Sequence, residues 1–544
     1  MDNYYSQLKS SKTEEAGRTA YSNVGMVATA HYDASRLGAQ ILDKGGNAFD
    51  AAVAAGFALG VCEPNASGLG GGGFMTAHCA AEKRNIFVDF REVAPMSAKP
   101  SMWKIGEDGE VIGKEKEEGG KSICVPGEVA GLCYILEKYG TMSLQEVLDP
   151  AIELAKDGVV ISEALQEDLK SNHDMFARFA EDGNVFLKDY EVGERLPNPA
   201  LANTLSRIAK EGADAFYRSD LTDIMIKSLN KHGGNFTKED FTSFKVRELT
   251  PLSGNYRGYD IISSPPPSSG GTHILEMLNI LENFEIGKLD YHSEEHIHLL
   301  SEVFKMCFAD RAKYMGDPDF VKIPMKGLLS KEYAAKRAGS YSLDNIAPAE
   351  SDNPFKFETC DTTHISIADK YGNVVAITKT ISAFFGSGVV PENTGVIMNC
   401  QMRGFFVGEG KSNSVGGGKK PLSSMSPTII LKDGRPFAVL GTPGGNRIIS
   451  TMAQVISNLI DFGMDIESAI RAPRFYNDVM DLLHYEARID EKVIKSLADK
   501  GQEIKKLKDW DRFVGGVQGI YYHKNGTMIG VADPRRDGRA VGCE

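Results

Sequence analysis

The order of apolar and polar residues predicts a β-hairpin in the second half of the chain. Residues 361–368 read DTTHISIA, in which large apolar and polar side chains alternate with the period of two that is typical of a half-buried strand. Residues 374–381 read VVAITKTI and are rich in the β-branched residues that favour strands. The connection at 369–373, DKYGN, is short and contains a glycine. This combination predicts two antiparallel strands joined by a tight turn.

The register of this hairpin brings two hydroxyl groups together. If Ala368 faces Val374, counting back along both strands places Thr362 opposite Thr380. A hydroxyl at the start of one strand then lies opposite a hydroxyl on the neighbouring strand, and this pairing indicates a functional site.

Periodicity predicts the remaining elements. Helices are predicted at residues 33–44, 48–60, 129–139, 144–157, 201–211, 220–231, 272–283 and 294–314. Strands are predicted at residues 24–30, 85–90, 396–399, 428–431 and 437–440. The segment PPPSSGG at 265–271 reads as a stiff turn whose serines cap the helix that follows. The polar run 340–358 reads as an exposed tail that leads into the hairpin.

A glycine-rich segment, SGLGGGG at 67–73, lies between two of these elements. It lacks the lysine and hydroxyl residue of a P-loop and the spacing of a dinucleotide-binding loop. Glycines that do not bind phosphate let the backbone pass close to another element. We therefore predict a close backbone approach at this segment.

Composition limits the class of protein. A net charge of −13 over 544 residues argues against nucleic acid as a partner. The N-terminal residues 1–25 contain no apolar signal region, and the best apolar run, residues 51–62, is too short to span a membrane. The eight cysteines form no C-x-x-C pair, so reduced thiols are expected rather than a zinc site or a disulfide framework. These features predict a cytoplasmic protein without a membrane partner.

Thr362 is a candidate nucleophile. A threonine hydroxyl needs a base, and no G-x-S-x-G turn with a histidine partner is present to supply one. The other solution is the residue's own α-amine, which titrates near pH ~7.7–8.0 and is freed by cleavage of the bond between Asp361 and Thr362. The alternative interpretation is a plain Thr-Thr pair that opens a strand, because threonine favours strands.

Several blocks of the sequence resemble the γ-glutamyltransferases (glutathione hydrolases). The blocks are GGNAFDAAVA (45–54), EPNASGLGGGGFM (63–75), DFREVAP (89–95), VPGEVAGL (125–132), PPPSSGG (265–271), FADR (308–311), TTHISIADKYGN (362–373), PLSSMSPT (421–428), GTPGGNR (441–447) and DPRR (533–536). They follow the family's order over nearly the whole chain. The resemblance implies an α+β fold, the four-layer αββα sandwich of the N-terminal nucleophile hydrolases. It also implies a precursor that cuts itself into a helix-rich fragment, 1–361, and a fragment 362–544 that begins with the nucleophile.

The resemblance assigns roles to individual residues. It implies that Thr362 attacks, that Thr380 braces the Thr362 hydroxyl, and that Gly444 and Gly445 bind the oxyanion. It also implies that the substrate is bound by Arg91, Ser382, Gln401, Ser423 and Ser424. Within this set, Arg91, Ser423 and Ser424 hold the α-carboxylate. Guanidinium geometry suits a carboxylate, although a solvated surface charge is the ordinary interpretation of a lone arginine such as Arg91. A glycine loop after an apolar strand can present N–H groups to an oxyanion, although a simple turn is the ordinary interpretation of Gly444 and Gly445.

Three positions depart from the family pattern. Arg403 and Gly404 stand where two acidic residues are usual, the second of which pairs with the substrate's α-ammonium, and Ser382 stands where asparagine is usual. A charged hydrogen bond is worth roughly 1.5–3 kcal/mol, and an arginine nearby would repel an ammonium. We hypothesise a donor without a free α-amino group, either N-acylated, part of a γ-linked polyglutamate, or a dicarboxylic monoamide. The segment 405–421 is shorter than the lid of many relatives, which predicts an open pocket.

A rival motif is H-x-x-E-H at His292, Glu295 and His296, which matches some zinc proteases. Helical spacing would place both histidines on one face, but a third ligand is missing, so chance occurrence is the simpler explanation and no metal is expected.

Together these features predict an enzyme that needs no cofactor and cleaves γ-glutamyl amides such as glutathione. It would pass the acyl group to water or to an amino acid or peptide, and its two fragments would remain together as a heterodimer. The alternatives are the same mechanism on another acyl group, as in an acylase or amidohydrolase, and an unprocessed binding protein that keeps only the scaffold.

The self-cleavage is testable on the purified protein. We expect mass spectrometry to find fragments 1–361 and 362–544, and Thr362→Ala to remain a single inactive polypeptide because the attacking hydroxyl is gone. A single uncut wild-type chain, or full turnover by the alanine variant, would contradict the assignment of the nucleophile.

Overall fold

Strands and helices are distributed along the whole of the described chain. The computed structural model describes residues 18–107, 109, 111–343 and 361–544. Its strands, numbered in chain order, are β1 (Thr19–Ser22), β2 (Met26–Thr29), β3 (Gly72–Cys79), β4 (Arg84–Phe90), β5 (Val159–Val160), β6 (Arg195–Leu196), β7 (Arg247–Leu249), β8 (Leu252–Tyr256), β9 (Tyr259–Ser263), β10 (Asp361–Ala368), β11 (Val374–Ser382), β12 (Thr428–Lys432), β13 (Arg435–Gly441), β14 (Phe475–Tyr476), β15 (Leu482–Glu486), β16 (Glu503–Leu507), β17 (Gln518–Tyr522), β18 (Met528–Ala532) and β19 (Arg539–Gly542).

The α-helices, numbered in the same way, are α1 (Tyr32–Asp43), α2 (Ala48–Cys62), α3 (Glu128–Tyr139), α4 (Leu144–Asp157), α5 (Glu163–Arg178), α6 (Pro199–Glu211), α7 (Asp214–Tyr217), α8 (Asp220–Lys231), α9 (Lys238–Thr242), α10 (Gly270–Leu281), α11 (Glu294–Tyr314), α12 (Met325–Leu328), α13 (Lys331–Ala338), α14 (Arg447–Ile460), α15 (Ile466–Arg471) and α16 (Glu491–Asp499). Each predicted helix is present with small shifts at its ends. Reciprocal capping explains two of the starts, where Asn47 pairs with Asp50 before α2 and Ser143 pairs with Glu146 before α4.

The predicted hairpin is confirmed. β10 and β11 pair antiparallel with Ala368 opposite Val374, and the register continues unbroken to Thr363 opposite Lys379. The ladder then shifts, because the next pair is Asp361 with Ser382. A bulge therefore replaces the expected one-to-one pairing of Thr362 with Thr380.

Two seven-stranded sheets, within the described residues, lie at the centre of the protein. One has the order β1-β18-β17-β13-β12-β9-β8 and the other β19-β2-β10-β11-β3-β4-β7. The sheets pack on each other through small and β-branched side chains, which include Ala28, Ala368, Ala376, Ile429, Val439 and Ile520. One outer face is covered by α1–α6 and the other by α10, α11 and α14–α16. The four layers form the predicted αββα arrangement.

The glycine-rich segment passes close to other backbone, as predicted. A Cβ on Gly70 would lie 2.1 Å from the carbonyl oxygen of Ile397, and one on Gly71 would lie 2.2 Å from that of Thr380. Gly73 approaches the carbonyl of Thr378 in the same way, at 2.5 Å. Only glycine fits these positions, so the segment fixes the end of β11 and the chain near residue 397.

One local prediction is wrong and another is only partly right. Residues 396–399 do not form a strand but make a single bridge between Met398 and Gly70, and the Asn399 amide donates to the carbonyls of Gly70 and Cys124. Of the two serines expected to cap α10, Ser268 accepts from the Gly270 N–H at 3.1 Å, whereas the Ser269 hydroxyl is engaged elsewhere and does not cap the helix. Strand and capping propensity were outweighed in both places by contacts between distant segments.

The H-x-x-E-H motif does not form one helical face. Ser293 caps α11, so His292 lies before the helix with a φ of 58°, and its ring stacks on Tyr291. His296 packs edge-on against Phe462. Across residues 18–107, 111–343 and 361–544, no three His, Cys, Asp or Glu side chains are grouped so that they would hold a metal ion.

Some predictions fall partly outside the described residues. Most of the tail at 340–358 lies there, and so does Cys360. The seven cysteines that the structure describes are free thiols. None of the helices in the described part of the chain has the length and apolar character to cross a membrane.

The glycine contact can be tested with a matched pair of variants. We expect Gly70→Ala to lower the free energy of unfolding by about 1–3 kcal/mol or more, because the new methyl group meets a backbone carbonyl that cannot rotate away. Gly68→Ala is the control, since its Cβ would lie no nearer than 3.8 Å to its neighbours. Denaturant midpoints measure both, and equal midpoints would contradict the close approach.

Candidate active site

One cleft collects most of the residues that the sequence singled out. It has an empty volume of about 410 Å³ and is lined by Arg91, Arg311, Thr362, Thr380, Ser382, Gln401, Gly404, Leu422, Ser423, Ser424, Met425, Gly445, Asn446 and Ile448. Arg91 and Arg311 come from the part of the chain before the predicted cut, and the other lining residues come after it. The cleft therefore needs both predicted fragments.

The ends of the hairpin strands supply the hydroxyl groups of the cleft. Thr362 and Thr380 are both buried, with 2% and 4% of their surface exposed. The N–H of Ser382 donates to Thr380 Oγ1 at 2.8 Å, which fixes this hydroxyl in the wall of the cleft. Ser382 has a φ of 86°, a conformation that non-glycine residues adopt rarely and that asparagine adopts more readily than serine. This backbone turn directs residue 382 into the cleft.

Arg91 follows β4 and is held by several groups. Its Nη2 donates to Gln401 Oε1 at 2.9 Å, its Nη1 lies 3.1 Å from Glu92 Oε2, and its Nε donates to the Pro421 carbonyl at 3.3 Å. Burial raises the pKa of the Glu92 carboxyl, and the Arg91 guanidinium opposes that rise. A further contact from Nη2 to the Leu422 carbonyl at 3.3 Å completes this set, so the guanidinium is held firmly at one wall of the cleft.

Gly444 and Gly445 begin the turn into helix α14. Both have positive φ, 132° and 57°, and their carbonyls accept from the N–H groups of Arg447 and Ile448. Gly445 lines the cleft, whereas Gly444 backs onto Gly515, whose Cα would be 3.3 Å from a Cβ at this position. A helix N-terminus carries partial positive charge and exposed N–H groups, so negative charge is favoured here.

The two residues that replace the usual acids have different environments. Gly404 lines the cleft, while Arg403 is buried and is absent from its described lining. Among the described residues that line the cleft there is no aspartate or glutamate.

The segment 405–421 folds back on itself beside the cleft. The Phe406 N–H donates to the Asn413 carbonyl at 2.9 Å, and Lys419 Nζ donates to the carbonyls of Ser412 and Ser414. Ala94 N–H donates to the Lys419 carbonyl at 2.9 Å, which fastens the segment to the chain after β4. The open pocket that we predicted from the length of this segment remains a prediction.

Two polar lining residues were not predicted from the sequence. Arg311, in the last turn of α11, donates to Ser424 Oγ, and Asn446 accepts from the same hydroxyl. Arg311 belongs to the FADR block, which marked the family resemblance without indicating a role. Asn446 follows the glycine pair directly in the GTPGGNR block, which marked the family resemblance without indicating a role for it.

Comparison with known proteins identifies the family. A family model described as Gamma-glutamyltranspeptidase matches residues 34–543. The chain belongs to this family. It is 40% identical over 530 residues to the "Glutathione hydrolase proenzyme" of Escherichia coli (strain K12), which covers 94% of this chain and 90% of that protein.

Other relatives of this gamma-glutamyltranspeptidase family member are acylases. It is 38% identical over 525 residues to the "Acylase ACY 1 proenzyme" of Pseudomonas sp. (strain SE83), with 95% of this chain and 93% of that protein covered. The crystal structure of cephalosporin acylase from Bacillus halodurans superposes with a TM-score of 0.88 at 29% identity, over 98% of this chain and 99% of that one. The family resemblance and the expected fold are confirmed.

The clamp at Arg91 gives a specific prediction. We expect Arg91→Lys to raise KM for a γ-glutamyl anilide about ten- to hundredfold with a smaller change in kcat, because a single ammonium cannot replace the planar fork. Arg84→Lys is the control, since Arg84 lies at the other end of β4 with 46% of its side chain exposed. Steady-state kinetics measures both, and an unchanged KM in Arg91→Lys would remove Arg91 from the binding site.

Proposed function

We propose that this protein is a self-processing γ-glutamyltransferase and glutathione hydrolase. One observation carries the proposal: in a member of the gamma-glutamyltranspeptidase family, Thr362 shares a single cleft with Thr380, Arg91 and Gly445. The word "proenzyme" in the names of its relatives agrees with a precursor that is cut before Thr362. No cofactor is required by this chemistry.

The α-amine of Thr362 is the proposed base. No histidine is among the described residues that line the cleft. His364, two residues away, is fully buried, with its ring nitrogens 2.8 Å from Thr378 Oγ1 and 3.1 Å from Ser366 Oγ. Burial lowers the pKa of His364 to about 3, so this imidazole is neutral and occupied. A freed α-amine at Thr362 supplies the missing proton acceptor.

The reaction then proceeds through an acyl-enzyme. The Thr362 hydroxyl attacks the γ-amide carbonyl, its proton passes to the α-amine, and the amine of the leaving group takes that proton as the C–N bond breaks. Gly444 and Gly445 would hold the oxyanion at the start of α14. Water, or the amino group of an amino acid or peptide, releases the γ-glutamyl group from the ester.

Electrostatics of the cleft favour a donor with a carboxylate. Arg91 and Arg311 both line it, together with the hydroxyls of Ser423 and Ser424. Because its described lining contains no acid, an α-ammonium has no ion-pair partner there. We therefore expect the free α-amino group of the donor to contribute little to binding.

The two fragments are proposed to stay together as a heterodimer. In each large sheet, strands that precede residue 361 pair with strands that follow it, as β2 with β10, β3 with β11 and β9 with β12. Separating the fragments would break these ladders and expose both sheets. A cytoplasmic location is also part of the proposal.

Donor and acceptor assays test the proposed activity. We expect purified wild-type protein to release glutamate from glutathione, glycylglycine to divert part of the acyl group to a transfer product, and Thr362→Ala to do neither. Absence of turnover on both glutathione and a γ-glutamyl anilide by fully processed protein would overturn the proposal.

A donor series examines the amino group. The γ-glutamyl anilide, its N-acetyl form and the des-amino glutaryl anilide all carry the same leaving group and a carboxylate. We expect their kcat/KM values to agree within about tenfold, since no ion pair to the amine is lost. A preference of a hundredfold or more for the free amine would show that a partner for the ammonium exists.

A further inference from the structure

Arg311 occupies a position next to the two serines of the cleft. It lies in the last turn of α11, with 2% of its surface exposed, and it lines the same cleft as Arg91. Its planar guanidinium donates from two different nitrogens: Nη2 to Ser424 Oγ at 2.9 Å and Nε to Ser269 Oγ at 2.7 Å. One rigid group therefore fixes two hydroxyls at once.

The contact determines which way the Ser424 hydroxyl can point. Its oxygen accepts a hydrogen bond from Arg311, so its own proton must be directed away from the guanidinium. The acceptor in that direction is Asn446 Oδ1, at 3.1 Å. Asn446 also lines the cleft, so a carboxylate that enters can take over this proton. Arg311 thus sets Ser424 as a hydrogen-bond donor.

Ser269 transmits the second contact to Ser423. The Ser269 hydroxyl donates to the Ser423 carbonyl at 2.7 Å, and the Ser269 N–H donates to the same oxygen at 2.8 Å. The Ser423 hydroxyl accepts from the Met425 N–H at 3.1 Å, which leaves its proton for a ligand. The turn that carries both serines is therefore held by Ser269, and Ser269 is held by Arg311.

We propose that Arg311 is a positioning residue for the donor's carboxylate, which presents the Ser423 and Ser424 hydroxyls as proton donors to that group. The proposal rests on the proposed function, because it names the machinery that binds the γ-glutamyl donor. Its charge adds to that of Arg91, so the carboxylate end of the cleft carries two guanidinium groups.

The test uses Arg311→Lys in the full, processed protein. Lysine keeps the charge but cannot reach two hydroxyls with a fixed fork. We expect KM for a γ-glutamyl anilide to rise about tenfold while kcat stays within about threefold, because binding of the carboxylate is lost and the reacting carbonyl is untouched. In a Ser424→Ala background the same substitution should raise KM by less than about threefold, since the hydroxyl it orients is gone.

Two neighbouring serines, Ser268 and Ser269, allow a second comparison of KM that leaves Arg311 itself unchanged. Ser269→Ala removes the link to Arg311 and should raise KM in the same direction. Ser268→Ala is the control: its hydroxyl accepts from the Gly270 N–H at the start of α10 and donates to the Met425 carbonyl, which also accepts from Ser264, and it does not contact Arg311. We expect KM of Ser268→Ala to match the wild type.

The outcomes separate this inference from the proposed function. Wild-type protein that does not hydrolyse the anilide contradicts the function itself. If the wild type is active, three results overturn the role of Arg311: an unchanged KM in Arg311→Lys, the same rise of KM with and without Ser424, or equal effects of the Ser268 and Ser269 variants. If Arg311→Lys is not cleaved into its two fragments, the comparison of KM between Ser269→Ala and Ser268→Ala tests the role of Arg311 by itself.

Discussion

The close passage of the glycine-rich segment against the hairpin is the constraint on which the rest of the site depends. Gly71 lies so near the Thr380 carbonyl, and Gly70 so near the Ile397 carbonyl, that a single methyl group would not fit at either place. The first contact fixes the end of β11, and the second fixes the chain that runs on to Gln401. The glycine-rich segment therefore positions two walls of the cleft, the end of β11 and the chain that leads to Gln401.

A buried ion pair reinforces the same region from the opposite side of the strand. Lys379, adjacent to Thr380, donates to Glu128 at 2.6 Å and to the Gly56 carbonyl at 2.7 Å, and both charged side chains are fully buried. Burial raises the pKa of Glu128 to about 7, which Lys379 opposes. Alternation along β11 then directs Thr380 to the cleft. The pair ties the strand to the helical layer and leaves its other face to the chemistry.

Interleaving of the two predicted fragments follows from the same architecture. The hairpin has strands from the earlier part of the chain on both sides, β2 next to β10 and β3 next to β11. A cut at Thr362 frees an amine at one strand end but leaves both ladders intact. The bulge between Asp361 and Thr363 marks the place where regular pairing stops, so the bond to be cut is not part of the uniform ladder.

The sequence alone determined the features that depend on neighbours along the chain. Alternation gave the hairpin and its register as far as Thr363, periodicity gave the helices, and the glycine run gave the close approach. The motif blocks indicated the family and most residues of the cleft. Only the tertiary structure decided the bulge at Thr362, the irregular path of residues 396–399, and the place of Arg403 outside the described lining.

The contacts of Arg311 also belong to the tertiary structure. Its partners lie 42 and 113 residues away, so no local period signals them. The capping role expected for Ser269 failed for the same reason, because its hydroxyl is better satisfied between a guanidinium and a distant carbonyl. Local sequence fixes what each segment does by itself, whereas buried polar groups choose their partners only after the segments have packed.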